Sequence, residues 1–303
     1  LPVRSQSSRE NALVKSMKQL TAYSLALFFQ QISARFSQQI DRTVVGLFLG
    51  PSTLTFYTVP AQISDRSPMV ISSLTTALYP LSSEAAGNRQ LVELRRLYLQ
   101  AVQLLTWLSA LLATFIVALA QDLLFLWVGP DFASRSWFVL ATLAVIAVWR
   151  TPSTVAYQVY NGLGRTDIGI RLSLLYSICS TIAILLLTPI WGINGTAMAL
   201  LIVTIPVALY ADLLTQRKLL AQMDWVRSLS LYLKPWLVGC VLVLAFLMMP
   251  DMGSWLNLAL KSVCIFCGFL IGLFFFDQPV FLEMRTSVLK LVHNFGFGTL
   301  IGK

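Results

Sequence analysis

Long apolar runs alternate along this chain with short clusters of charged, glycine or proline residues. A helix needs about 20 mostly apolar residues to cross a bilayer core of about 30 Å. Runs that meet this requirement cover approximately residues 18–48, 53–86, 90–120, 134–163, 167–188, 192–216, 230–249 and 255–276. The pattern therefore predicts an all-α integral membrane protein with eight transmembrane helices.

The first four predicted spans are longer than the membrane is thick, so these helices must tilt, kink or project into water. Prolines inside them remove backbone hydrogen bonds and create bending points. We assign Pro60, Pro68 and Pro80 as hinge residues. After the last span, polar and apolar residues interleave over a stretch too short to span, which predicts a cytoplasmic amphipathic tail over residues 277–303.

The composition supports this class of protein. Hydrophobic residues make up 57% of the chain and charged residues 12%, whereas a soluble domain carries about 25% charged residues. A soluble enzyme and a nucleic-acid-binding tail are therefore excluded. The sequence shows no nucleophile–base pair, phosphate loop or metal-ligand set, so we expect no enzymatic activity, no cofactor and no metal site.

Basic residues in the connections predict the orientation. Sixteen of the 22 lysines and arginines fall in every second connection or at the two chain ends, and the opposite connections hold Arg135 alone. Lysine and arginine accumulate in cytoplasmic loops. We therefore expect both ends of the chain in the cytoplasm.

Five basic residues are not accounted for by the connections: Arg35, Arg42, Arg66, Arg150 and Lys261. Lys261 is near the outer end of its span, and we expect it to snorkel to the surface. An arginine at a helix centre costs about 2.5–3.5 kcal/mol on insertion scales, so such groups normally face a bundle interior or a water-filled cavity. The four arginines are therefore candidates for function.

Polar side chains repeat at helical spacing around these arginines, which predicts a cation-rich cavity. Its predicted lining is Gln31, Arg35, Gln38 and Arg42 from the first span, Gln62 and Arg66 from the second, and Arg150 from the fourth. Two embedded aspartates reduce the charge of the four arginines to +2, which favours an anionic substrate. Arginine binds phosphate oxygens in a bidentate manner.

The two embedded aspartates, Asp41 and Asp65, allow two interpretations. Each precedes an arginine and could form structural ion pairs between the first two helices. Alternatively, either could titrate and couple transport to protons or to a cation. The residue pattern leaves both open.

Six motifs give the chain a family resemblance. In order they are DRTVVGLFLG (41–50), YTVP (57–60), ALYPLSSE (77–84), LWVGPDFA (126–133), NGLGR (161–165) and GINGTA (192–197). In this order and spacing the chain resembles polysaccharide-transport flippases, including O-antigen translocases. These belong to the multidrug/oligosaccharidyl-lipid/polysaccharide exporter superfamily.

The resemblance implies two six-helix bundles around a central cavity that opens alternately to each side. Residues 18–216 would form the C-terminal bundle, preceded by the end of a cytoplasmic linker over residues 1–17. A cytoplasmic loop over residues 217–229 would lead to two additional helices within residues 230–276. The N-terminal bundle, absent from this sequence, is then an expected partner, and this part alone is not expected to transport.

The resemblance also implies a function. The expected activity is flipping of undecaprenyl-pyrophosphate-linked oligosaccharides across the bacterial cytoplasmic (inner) membrane, for O-antigen of lipopolysaccharide, capsule or exopolysaccharide. Polysaccharide polymerase and chain-length machinery are candidate partners. The alternatives are a multidrug or cation antiporter, a peptidoglycan lipid-precursor flippase, and a scaffold that recruits sugar polymerases or transferases.

Overall fold

The computed structural model describes residues 3–76, 78–87, 91–215, 217, 225–247 and 255–278. Within these ranges the chain forms eight helices. They are α1 (Val3–Ser64), α2 (Arg66–Thr75), α3 (Leu78–Gly87), α4 (Leu91–Trp127), α5 (Pro130–Gly162), α6 (Thr166–Thr215), α7 (Trp225–Leu247) and α8 (Trp255–Phe276). The prediction of an all-helical chain is confirmed for the residues described.

Two glycines interrupt the two longest helices. Gly50 in α1 has φ 82° and Gly192 in α6 has φ 61°, a left-handed conformation that glycine adopts without steric cost. A straight helix of 50 residues such as α6 would measure about 75 Å, far more than a bilayer core of about 30 Å. Gly50 lies between two predicted spans and Gly192 is the first residue of one, so each break falls at a predicted span boundary, where the chain can reverse direction.

Prolines explain the two shorter interruptions after α1. Pro68 lacks the N–H that would bond the carbonyl of Ser64, and α1 ends at Ser64. Pro80 likewise lacks the N–H that would bond the carbonyl of Thr76, and α2 ends at Thr75. Pro60, in contrast, is buried inside α1. The role of these three prolines as hinges stays a prediction.

Among the described residues, five segments are long and apolar enough to cross a membrane: Gln39–Thr75, Leu94–Trp127, Pro130–Gly162, Thr166–Thr215 and Asn257–Phe276. The described part of α7 adds a shorter apolar helix, Leu233–Phe246. These segments support a multi-pass integral membrane protein. Because the first and fourth contain the glycine breaks, the number of eight crossings stays a prediction.

Helices α4 and α5 form the most extensive pair, and α1 packs against α6 and α5. Helices α7 and α8 cover the other side of α4. Trp107 of α4 is fully buried there and meets the ring of Phe269 edge-on, with centroids 5.6 Å apart. Gly239 of α7 allows close approach, since a Cβ at that position would lie 2.7 Å from the hydroxyl of Thr114.

Polar contacts attach α8 to α4 at two points. The Lys261 ammonium lies 2.7 Å from a carboxylate oxygen of Asp122, and Lys261 is 5% exposed. The expectation that Lys261 snorkels to the surface is therefore wrong, because this pair neutralises its charge inside the bundle.

Asp277 makes the second attachment. Its carboxylate accepts hydrogen bonds from the side-chain nitrogens of Gln103, at 2.6 Å, and Trp107, at 3.0 Å. The predicted tail begins one residue too early, since Asp277 is buried against α4 and belongs to the bundle. Residues 279–303, which make up nearly all of that tail, lie outside the described residues, as do positions 218–224 of the predicted loop.

Candidate functional site

A cationic cavity of about 230 Å³ lies between α1, the start of α2, α5 and α6. Arg35, Arg42 and Arg150 line it together with Asp41 and Asp65. Three guanidinium groups and two carboxylates give the lining a net charge of +1. The folded chain thus brings together three of the four arginines that the helical spacing selected.

One aspartate in the cationic cavity is paired and the other is hydrogen-bonded. Arg42 donates through Nη2 to Asp65 at 2.9 Å, and this pair connects the first half of α1 to the start of α2. Asp41 is buried and accepts hydrogen bonds from the Tyr57 hydroxyl at 2.7 Å and from the Arg42 backbone N–H at 2.8 Å. The ion-pair interpretation thus describes Asp65, although its partner is Arg42 and not its neighbour.

Two arginines lack such neutralisation. Among the described residues, neither Arg35 nor Arg150 lies within salt-bridge distance of a carboxylate. The Arg150 guanidinium carbon lies 5.3 Å from the centroid of the Tyr176 ring, a cation–π contact that orients the group and leaves its charge in place. These two positive charges are the ones available to an anion.

A second cavity of about 270 Å³ adjoins the first, and Arg150 and Tyr176 line both. Its lining is rich in hydroxyl and amide groups: Gln31, Ser153, Thr154, Tyr157, Gln158, Asn161, Ser173 and Thr204. Arg150 supplies its charge, and no carboxylate appears among its described lining residues. We call this the polar cavity.

The remaining predicted residues are placed elsewhere. Gln62 and Arg66 are exposed and line neither of these two cavities. The side chain of Gln38 lies outside the described residues. The wall of the cationic cavity on this stretch is formed instead by Ala61, Ser64, Asp65 and Pro68, which repeat at i, i+3, i+4 and i+7. The predicted stripe of Gln62 and Arg66 therefore lies on a different face of the chain.

Sequence reasoning missed the contribution of α6. Ser173, Tyr176 and Thr204 line the polar cavity but are uncharged residues within strongly apolar spans. Ser173, Tyr176, Ser177 and Ser180 do repeat at i, i+3, i+4 and i+7, the spacing of one helix face. That weak polar stripe is the signal that could have identified this wall.

Apolar helical segments of membrane-crossing length enclose two connected cavities, one cationic and one polar, which places the chain among multi-pass membrane proteins with an internal polar compartment. Residues 26–190, more than half of the chain, match the MatE family, and the chain belongs to this family.

Comparison with known proteins agrees with this assignment. The probable flippase AglR of Haloferax volcanii is 24% identical over 165 residues, which covers 54% of this chain and 34% of AglR. A multidrug resistance MATE transporter of the MOP superfamily, in an outward-facing conformation, aligns with a TM-score of 0.58 and 17% identity, covering 65% of this chain and 45% of that one.

Two further structures share the fold. The lipid II flippase MurJ, in an inward closed conformation, aligns with a TM-score of 0.65 and 12% identity, over 84% of this chain and 53% of MurJ. A MOP superfamily transporter from Pyrococcus furiosus aligns with a TM-score of 0.57 and 13% identity, over 92% of this chain and 72% of that protein. These proteins are transporters and flippases, and the chain spans about a third of AglR and about half of MurJ.

Proposed function

We propose that this chain is the C-terminal, cavity-lining bundle of a flippase for undecaprenyl-pyrophosphate-linked oligosaccharides in the bacterial cytoplasmic membrane. The proposal rests on the surroundings of two residues, Arg35 and Arg150. Both line a cavity between apolar helices, and neither has a carboxylate partner among the described residues. Both side chains are exposed in this chain, so their guanidinium groups are accessible to an anionic ligand.

A pyrophosphate group fits the chemistry of the cationic cavity. Its oxygens are hydrogen-bond acceptors, and each guanidinium offers a planar fork of N–H donors that matches them. Charge-assisted bonds of this kind are stronger away from bulk water. Arg35 and Arg150 would bind the anion directly, while Arg42 would contribute its charge from within the pair with Asp65.

The mechanism follows the same proposal. The missing N-terminal bundle would supply the opposite wall of the cavity, both ends of this chain would lie in the cytoplasm, and the two bundles would open alternately to each leaflet. Pro60, Pro68 and Pro80 would act as the bending points. The polymer served would be O-antigen, capsule or exopolysaccharide, with the polymerase and chain-length machinery as downstream partners.

Two other functions differ in what they require of the cavity. A multidrug or cation antiporter needs carboxylates in excess, whereas this lining carries three arginines and two aspartates, one of them already paired. A peptidoglycan lipid-precursor flippase shares the pyrophosphate and is the second candidate, which the fold likeness to MurJ favours. The accumulated intermediate distinguishes the two flippases.

The test is complementation by the full-length gene in a bacterium deleted for its own polysaccharide flippase. Surface polymer and accumulated lipid-linked intermediate are measured together. We expect the wild-type protein to restore surface polymer and to clear the accumulated intermediate. We expect Arg35→Gln and Arg150→Gln to restore no polymer and to leave the intermediate accumulated. Membrane abundance of each variant is measured by immunoblot.

Arg135→Gln is the matched control. Arg135 lies on the same helix as Arg150, and its guanidinium carbon is 5.3 Å from the centroid of the Phe56 ring, the same contact that Arg150 makes with Tyr176. Arg135 lines neither of the two cavities. Full polymer export by the Arg35 and Arg150 variants would refute the proposal, as would equal loss in the control. Rescue of a peptidoglycan-precursor flippase deletion instead would establish the second candidate.

A further inference from the structure

The two cavities follow one another along the same three helices. On α5, the stretch from Leu143 to Arg150 lines the cationic cavity, and the stretch from Arg150 to Asn161 lines the polar one. On α1, Gln31 lines the polar cavity, one helical turn before Arg35 in the cationic cavity. The two cavities are therefore adjoining compartments of one site, with Arg150 at the boundary.

The compartments differ in chemistry. Arginine and aspartate supply five side chains of the cationic cavity, whereas Arg150 is the one such residue among the described lining residues of the polar cavity. Hydroxyl and amide groups can both donate and accept hydrogen bonds without net charge. That lining matches a neutral ligand with many hydroxyl groups better than an anion or an apolar chain.

Two amide side chains are available for such a ligand. Gln31 and Gln158 line the polar cavity, and neither has a hydrogen-bond partner among the described residues. Other groups around the cavity are already used: the Tyr157 hydroxyl donates to the carbonyl of Gly169 at 3.0 Å. Tyr157 is thus fixed as part of the wall, and the two glutamines keep their donors and acceptors open.

We propose that the site is divided by function: the cationic cavity binds the pyrophosphate, and the polar cavity binds the first sugar of the attached glycan. This inference rests on the proposed function. A sugar esterified to pyrophosphate must lie directly beside it, and Arg150, shared by both compartments, stands where the two groups join. Gln31 and Gln158 are then specificity-determining residues for the glycan.

The experiment measures binding to the purified full-length protein in lipid nanodiscs by native mass spectrometry. The probes are bare undecaprenyl pyrophosphate and the lipid-linked intermediate purified from the flippase-deleted strain. A net hydrogen bond contributes about 0.5–1.5 kcal/mol, or roughly twofold to tenfold in affinity. We therefore expect the wild-type protein to bind the intermediate more tightly than the bare lipid.

The variants separate the compartments. Gln31→Leu and Gln158→Leu should each weaken binding of the intermediate by roughly twofold to tenfold and leave binding of undecaprenyl pyrophosphate unchanged. Arg35→Gln should weaken both ligands by the same factor, and Arg135→Gln should affect neither. Thermal unfolding of each variant shows whether it is folded. Because Gln31 is exposed, Gln31→Leu remains available as the test of the polar cavity if Gln158→Leu is unstable.

The outcomes distinguish the two proposals. Equal binding of both probes by the wild-type protein, or equal weakening of both by the glutamine variants, would overturn the division of the site while leaving the pyrophosphate function intact. Binding of neither probe by a folded wild-type protein would overturn the proposed function itself.

Discussion

Replacing Lys261 by methionine tests whether the ion pair between α8 and α4 stabilises the bundle. The ammonium lies 2.7 Å from the Asp122 carboxylate, with side-chain exposures of 5% for Lys261 and 19% for Asp122. Methionine retains most of the side-chain volume and removes the charge. The variant therefore leaves a largely buried carboxylate without its counter-ion.

The expected cost follows from this burial. Removing one partner of a buried ion pair costs about 3–5 kcal/mol, because the remaining charge is left uncompensated. The partial exposure of Asp122 places Lys261→Met near the lower value, about 3 kcal/mol. Replacing both partners with apolar residues removes the burial penalty as well, so the double variant Lys261→Met, Asp122→Leu should recover much of the loss.

Thermal unfolding of the full-length protein in detergent measures these effects. For a chain of 303 residues, about 3 kcal/mol corresponds to a fall in Tm of roughly 5 °C for Lys261→Met, and to a smaller fall in a longer protein. We expect Asp122→Leu alone to lower Tm similarly and the double variant to lie closer to the wild type than either single variant. A Lys261→Met protein that melts with the wild type, or losses that simply add in the double variant, would refute this reasoning.

Three further predictions concern α1 and α5. In Gly162→Ala the new Cβ would lie 2.6 Å from the backbone of α3, and we expect a loss of about 1–3 kcal/mol in thermal unfolding; Gly46→Ala, whose nearest neighbour atom is 3.5 Å away, should show none. Tyr57→Phe removes a donor from the buried Asp41 carboxylate and should cost about 1–3 kcal/mol by the same assay; an unchanged Tm would contradict this assignment. Arg42→Gln breaks an ion pair whose carboxylate is 65% exposed, so stability should change by less than about 1 kcal/mol. The Arg42→Gln protein should nevertheless bind undecaprenyl pyrophosphate more weakly than the wild type. A large loss of folded protein would indicate a structural role for Arg42 instead.

The fold was largely predictable because its signals are local. Apolar run lengths located the helical segments, and the breaks at Gly50 and Gly192 fall at the boundaries of predicted spans. Long-range pairing was not predictable in the same way. Lys261 and Asp122 are 139 residues apart. Helical spacing cannot relate two residues on different helices when the packing of those helices is unknown.

The charged residues of the candidate site were predictable from the sequence, and its neutral residues were missed. Arg35, Arg42 and Arg150 stood out because a charge inside an apolar run is costly. Arg66 followed the same rule but lies on a different face from Ser64, Asp65 and Pro68, which line the cavity. The neutral groups of α6, such as Tyr176, carry no comparable cost in a sequence and become visible only when the helices are packed together.

The proline-defined interruptions also bear on the kinetics of any rearrangement of α2. An ordinary helix must sacrifice a backbone hydrogen bond to bend sharply, and this loss raises the barrier to bending. At Pro68 and Pro80 the N–H does not exist, so no conformation of the chain can form that bond. With these prolines acting as the proposed hinges, α2 would move as one unit between two positions that bend without breaking those bonds. Pro68→Ala would supply the missing donor and is expected to slow transport while leaving ligand affinity unchanged.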